Sequence, residues 1–254
     1  MLSKKIIVLA VVLFAVCFFG RMHSLAQSKQ SKILYAEPAR LMLSGDEKAD
    51  REAETGSLLR ETFYPIGWSK NGAFAYYVEP ADEACGCYFA QLVIQDMRTD
   101  KVLWERSYNS ENGGADTLKK YWAKSRKEFS RKLAQYGIRA QKKFALQSSA
   151  FNYQKDVLTP ELKNNTNTED EFAVSGNIGV QLISKQKGRK TIYERKFDPK
   201  KYEGFLDAEI AGSLLSPFET RAAIIMVETY RGWEGLPHIT QIRIVGATLT
   251  TGFR

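Results

Sequence analysis

Cys85, Gly86 and Cys87 make the most chemically pointed motif of the 254-residue chain, because beyond residue 26 it holds these two cysteines and no others. Under oxidising conditions such a pair tends to join. Along a straight strand, alternate residues sit near the upper limit of disulfide Cα spacing, so Gly86 must supply the bend that brings the sulfurs together. Two readings are open. One is a redox or redox-sensing disulfide, since so small a ring is strained and more easily reduced. The other is a clasp on a loop between two strands. A metal site would need further ligands, and beyond residue 26 the chain offers a single histidine, His238. Neither a metal nor a cofactor is expected.

Catalysis finds no assembled set of residues. His238 follows Pro237 at the entry of a predicted strand, and a catalytic base would need a nucleophile and an orienting partner beside it. The chain has no Gly-x-Ser-x-Gly turn, no His-Glu-x-x-His pair and no phosphate-cradling glycine loop. Glu79, Asp82 and Glu83 crowd beside the cysteines, and Glu228 stands at the matching end of a later strand. Paired carboxylates serve glycoside hydrolysis only at a particular separation, which spacing along the chain does not fix. Aromatics are plentiful: Tyr76, Tyr77, Tyr88 and Phe89 flank the cysteine loop, and Tyr230 and Trp233 fall in a second one. Aromatics on loops at one end of a sheet either stack on sugars and peptides or fill core. The expected contact surface is therefore two loops, Glu79 to Tyr88 and Tyr230 to His238.

The elements that must carry these loops read as strands. Ile66 to Gly72 is a strand end with an Asn-Gly turn, since both residues tolerate the positive φ of tight hairpins. Ala73 to Val78, Tyr88 to Gln95 and Lys101 to Tyr108 continue a meander. Leu215 to Leu249 repeats its layout: turn, buried strand Ala222 to Val227, long loop Tyr230 to Pro237, alternating strand Ile239 to Leu249. Ile178 to Ser184 and Arg189 to Phe197 form a predicted hairpin, Gln147 to Tyr153 and Ile33 to Ala36 read as strands, and Ser44 to Gly56 is a charged loop. Asn-rich Leu162 to Glu171 reads as surface loop.

Trp68-Ser69-Lys70-Asn71-Gly72-Ala73-Phe74-Ala75-Tyr76, followed by Leu92-Val93-Ile94-Gln95-Asp96, resembles a blade of the TolB-like propeller repeats. Ser216 to Thr220 followed by Ala222 to Val227 is a weaker copy without the turn glycine. A complete propeller needs at least four blades of roughly 40 residues, and two are found with one hairpin. The whole chain also resembles uncharacterised exported proteins with a basic helix between two blade-like halves, a likeness that implies no activity.

The predicted helix is amphipathic. Asp116 is placed to cap it, and Leu118, Trp122, Ser125, Phe129, Leu133 and Tyr136 share one face. Gly137 is a natural stop, with Ile138 placed for a closing apolar contact. Lys120, Lys124, Lys127 and Arg131 fall opposite. From Thr117 to Leu146 there are ten basic residues and one acidic one, Glu128, whereas acidic residues prevail over the rest of the chain beyond residue 26. This face has three readings: a nucleic-acid contact, set aside because export removes that partner; a peripheral contact with an anionic surface; or a solvated back to a core helix.

Export is the expectation of the N-terminus. Lys4 and Lys5 precede an uncharged apolar run, Ile6 to Phe19, and Ser24-Leu25-Ala26 offers the small residues a signal peptidase accepts, placing the cut before Gln27. The run falls short of the roughly 20 residues that span a bilayer, which leaves an anchor through residues 6–20 as the alternative. Cys17 follows Val16 instead of a small residue, against lipidation.

The chain thus reads as a signal peptide, 1–26, and a single β-rich domain, 27–254, divided into a blade-like half 27–115, a basic helical stretch 116–147 and a second blade-like half 148–254. The fold class is mainly β (α+β), antiparallel blade-like sheets up to a partial propeller with one long helix. The function it supports is non-catalytic binding of a protein, peptide or glycan of the envelope. The alternative is an exported hydrolase or a thiol-disulfide protein using Cys85 and Cys87.

Overall fold

The computed structural model describes residues 34–47, 51, 56–81, 85–111, 113–169 and 173–254. The leader and cleavage point expected from the sequence, with Cys17, Ile33, Asp82 and Glu83, lie outside them.

Apolar residues run without a polar break along Ala73–Val78, and the sheet containing them is covered on both faces. Strands β2 (Thr62–Trp68), β3 (Ala73–Glu79), β4 (Phe89–Asp96) and β5 (Val102–Asn109) form an antiparallel meander, which β6 (Arg139–Ala140) joins at its β2 edge. Side chains alternate across a strand. Ala73, Ala75 and Tyr77 with Leu92 and Ile94 therefore face the helix α1 (Leu118–Gln135), against its Tyr121, Trp122, Phe129 and Leu133. Phe74, Tyr76 and Val78 with Val93 face a second sheet.

That second sheet contains β1 (Leu58–Leu59), β11 (Phe205–Leu215), β12 (Arg221–Gly232) and β13 (Gly235–Thr248) in the order β1-β13-β12-β11. It too is buried on both faces: Ala223, Ile225 and Val227 meet the first sheet, while Ala222, Ile224 and Met226 meet the third. The third sheet, β7 (Phe151–Tyr153), β8 (Asp156–Asn167), β9 (Ser175–Ser184) and β10 (Gly188–Phe197), covers it with Leu158, Ile178, Val180 and Leu182. Helix and three sheets stack in four layers, and continuous apolar runs mark the strands covered on both sides.

Strand β1 pairs in parallel with β13, Leu58 opposite His238 and Leu59 opposite Ile239, before the chain crosses into the first sheet as β2. At the crossing the Glu61 amide donates to Thr240 Oγ1 at 3.0 Å, and Glu61 accepts from the Ile242 amide. At the other end Gln95 Nε2 donates to Ile244 O at 2.9 Å and the Gly246 amide to Asp100 Oδ1 at 2.7 Å. Since β3 ends opposite Thr62, where β2 begins, the β3–β4 and β12–β13 connections leave the packed sheets at the same end.

The motif residues act locally. Ser69 Oγ accepts from the amides of Asn71 and Ala73, at 3.2 and 2.9 Å, and Gly72 takes φ +82°. Asp96 accepts a bidentate pair from Arg98 and lies well below the usual carboxylate range because of it.

Several boundaries differ from expectation. Thr117, not Asp116, caps α1 by accepting from the Lys120 amide at 3.4 Å, and Asp116 instead pairs with Lys120 Nζ at 2.8 Å. The helix ends at Gln135 in the way foreseen: Gly137 at φ +67°, the Ile138 amide donating to Leu133 O at 2.9 Å, and both apolar side chains buried. Asn-rich 162–167 is strand and not loop, because the ladder is made by the backbone and β8 pairs with β9 out to Asn167. Residues 34–36 are not strand, and of Gln147–Tyr153 only Phe151–Tyr153 is, with Gln147 bridging Ser213. The Tyr230–Pro237 loop is in fact a two-residue turn, since β12 and β13 stay paired to Gly232 and Gly235.

Candidate functional site

Both sequence-predicted contact segments are at the same end of the protein, but their side chains have different fates. Cys85 and Cys87 are joined. Gly86 between them takes φ +60°, a conformation glycine adopts without penalty, and beyond its two chain neighbours no described residue lies within 4 Å of where a side chain would start. Cys85 is exposed and Cys87 half-buried.

Tyr88 holds this loop down. Its amide donates to Ser110 Oγ at 2.8 Å and its hydroxyl to Glu79 Oε1 at 2.8 Å. The other Glu79 oxygen accepts from Tyr64 at 2.5 Å, and the Tyr77 and Tyr88 hydroxyls lie 2.6 Å apart. Burial pushes the phenols of Tyr64, Tyr77 and Tyr88 far above their ordinary value, so all three remain neutral donors. Tyr88 is thus committed to tying β3 to β4 and is not an open stacking surface.

The second segment contains one projecting aromatic. Trp233 and Glu234 make the turn between β12 and β13, and Gly235 takes φ +104°. Trp233 is 89% exposed and Leu236 65%. The turn is fixed by the Gly232–Gly235 pair and, behind it, by the Arg231 amide donating to Gly204 O at 2.7 Å. The Leu236–Pro237 peptide is cis. His238 is half-buried in β13, its amide donating to Ser57 O at 3.0 Å.

Tyr230 points inward. Its hydroxyl donates to Glu228 Oε2 at 2.5 Å, and burial pushes it up to about 12. Glu228, fully buried, also accepts from Arg243 Nε at 2.7 Å and from Arg195 at 3.2 Å, and Arg195 in turn pairs with Glu203. The Arg195 guanidinium lies 4.6 Å from the Phe197 ring centre and that of Arg243 5.3 Å from Tyr193. This network joins β10, β12 and β13, and neutralises a carboxylate that the sequence left as a catalytic candidate. Reading the sequence could not find it, because its partners are brought together only by sheet packing. Leu236 was also missed: one apolar residue beside a proline gives no signal of exposure.

On α1, Lys120, Lys124, Lys127 and Arg131 are all exposed. Lys120 is paired with Asp116, and Lys124 lies 6.0 Å from the centre of the Tyr108 ring. The helix meets the first sheet on its opposite side, so this face and the hairpin end are separate surfaces.

Glu61, at the crossing between sheets, is a buried acid. Burial pushes its carboxyl from 4.5 up to about 7, opposed by the hydrogen bond from the Ile242 amide. The folded chain therefore holds this proton where the unfolded chain has released it. The stability Glu61 contributes is full below about pH 4.5 and is lost as pH rises through about 7. Glu61→Gln keeps the acceptor for Ile242 without the charge. Its stability advantage over wild type should grow across that window in urea titrations, and an advantage that is flat with pH would show that Glu61 does not titrate there.

Among the described residues no three His, Cys, Asp or Glu side chains converge as a metal site, and no helix is long and apolar enough to cross a membrane. Compared with models of protein families, with curated proteins and with solved structures, the chain matches none.

Proposed function

We propose that the chain is an exported, non-catalytic binding protein that engages a protein, peptide or glycan of the envelope through its hairpin end. The observation that carries the reading is the tip of β12–β13, where Trp233 stands 89% exposed in the two-residue turn and Leu236 65% exposed at the start of β13. A tryptophan held out by a paired ladder offers a large contact area at little entropic cost on binding, as interface anchors do. Among the described residues, the carboxylates that could serve a hydrolase are engaged elsewhere: Glu228 with Arg195 and Arg243, Glu79 with two tyrosines. The likeness of residues 68–96 to a propeller blade enters as architecture, a stiff antiparallel sheet whose connections carry the contacts.

The test is cross-linked capture from the native cells by tagged full-length protein. Trp233→Ser with Leu236→Ser should lose the partner at least about tenfold and keep the wild-type thermal midpoint. Changing Lys120, Lys124, Lys127 and Arg131 to Glu should leave capture intact. Undiminished capture by the tip variant would overturn the reading, and loss with the helix variant alone would move the site to the basic face. N-terminal sequencing of the exported product should begin at Gln27.

A further inference from the structure

We infer that the Cys85–Cys87 ring is a thiol-disulfide exchange site acting on exposed protein or peptide thiols. As a clasp the bond has little left to hold. It closes a ring across one intervening residue, so it removes almost the least loop entropy that a disulfide can. The loop ends are already fixed without it, by the Val78–Gln91 pair, the Tyr88 amide on Ser110 and the Tyr88 hydroxyl on Glu79.

Its placement suits attack from solvent. Cys85 and Gly86 are exposed, and beyond its two chain neighbours no described residue comes within 4 Å of where a Gly86 side chain would start. Cys87, half-buried, adjoins the anchored Tyr88, so on leaving it stays beside its former partner. Disulfides in such positions are the exchangeable ones, whereas bonds that hold a fold together are buried and resist reduction.

The step balances without a cofactor. A substrate thiolate attacks Cys85 Sγ, the Sγ–Sγ bond breaks, and Cys87 departs as a thiolate that takes a proton from water. The product is a mixed disulfide between substrate and Cys85. A second thiol of the same substrate then attacks its own sulfur in that bond. The substrate is oxidised by two electrons to a disulfide, and Cys85 and Cys87 are left as a dithiol. That dithiol attacks a mispaired disulfide of the next substrate in the reverse sense, so the net cycle reshuffles disulfides and consumes no oxidant.

The inference does not depend on docking through Trp233, and the experiment keeps the two apart. Oxidised full-length protein is mixed with a dithiol peptide, alkylated and weighed. One peptide disulfide per chain is expected, as is faster reshuffling of a scrambled disulfide-bonded protein. Given the same peptide in its disulfide form, Cys87→Ser should attack that bond and hold the peptide on Cys85 as a mixed disulfide, the second peptide sulfur leaving as a thiolate, with Cys85→Ser capturing it at least about tenfold more slowly. Cys85→Ser with Cys87→Ser should abolish both activities and keep the thermal midpoint within about 3 °C. The Trp233 and Leu236 variant should exchange at the wild-type rate. Exchange no faster than with glutathione alone, or a double variant that unfolds well below wild type, would overturn the inference and make the ring a clasp.

Discussion

Phe129→Ala is expected to destabilise the protein by about 3–5 kcal/mol, measured as the shift in urea unfolding. Phe129 is fully buried where α1 meets the first sheet, with Tyr121, Trp122 and Trp104 rings at 5.5, 5.1 and 6.4 Å. Alanine leaves a cavity walled by rings that sheet and helix backbones hold apart, so the site cannot collapse. The edge-on and tilted ring contacts are lost in addition to the buried area. Amide exchange should accelerate along Leu118–Gln135 before it does in β12, because the helix covers only one face of the stack. Arg131→Ala, on the exposed side of the same helix, should change stability by less than about 0.5 kcal/mol. A loss below about 1 kcal/mol for Phe129→Ala would mean that the helix is not part of the cooperative core.

Glu228→Ala should cost about 3 kcal/mol, the lower end for breaking a buried ion pair, because the Arg195 and Arg243 side chains still reach solvent at 24% and 38% exposure. The cost falls chiefly on Arg243, which loses its carboxylate, since Arg195 keeps Glu203 and the Tyr230 hydroxyl still accepts from Arg195 at 2.7 Å. Glu228→Gln keeps an acceptor and should lose less. Replacing Glu228 and Arg243 together by leucine and methionine should recover part of the loss, since an apolar pair of similar volume avoids desolvating charge. If the double replacement is as unstable as Glu228→Ala, the deficit lies in packing and not in charge.

Much of the architecture was legible where one strong pattern dominated. The Ile178–Phe197 hairpin and the meander from Ala73 to Tyr108 appear nearly as read, and so does the helix stop at Gly137. Tyr121 joined the buried helix face unannounced, since the stripe that covers a sheet is broader than a narrow periodic selection. Strand β11 was not legible: FLDAEIAGSLL neither alternates cleanly nor runs apolar, and its register shifts between Ile210 and Gly212. The partition of 148–254 between two sheets was equally hidden, because nothing local distinguishes a strand that pairs with its neighbour from one that starts a new layer.

The candidate site was legible in its chemistry and not in its geometry. Cysteine spacing pointed to the disulfide, and Trp233 was one of several aromatics that the sequence placed on the two loops. Tyr88 and Tyr230 looked equivalent to Trp233 in sequence, yet each is turned inward by a carboxylate, Glu79 or Glu228, that only the folded register supplies.

The parallel pairing of Leu58 and Leu59 with His238 and Ile239 sets when the molecule can be finished. A chain made from its N-terminus has β1 before β2 to β13 but must hold it unpaired until β13 emerges, some 180 residues later. The edge of the second sheet and the Glu61 crossing are therefore closed only once β13 has been made. However early the first and third sheets pair, these two features wait for β13, so the join between β1 and β2 is among the last parts of the fold to be secured.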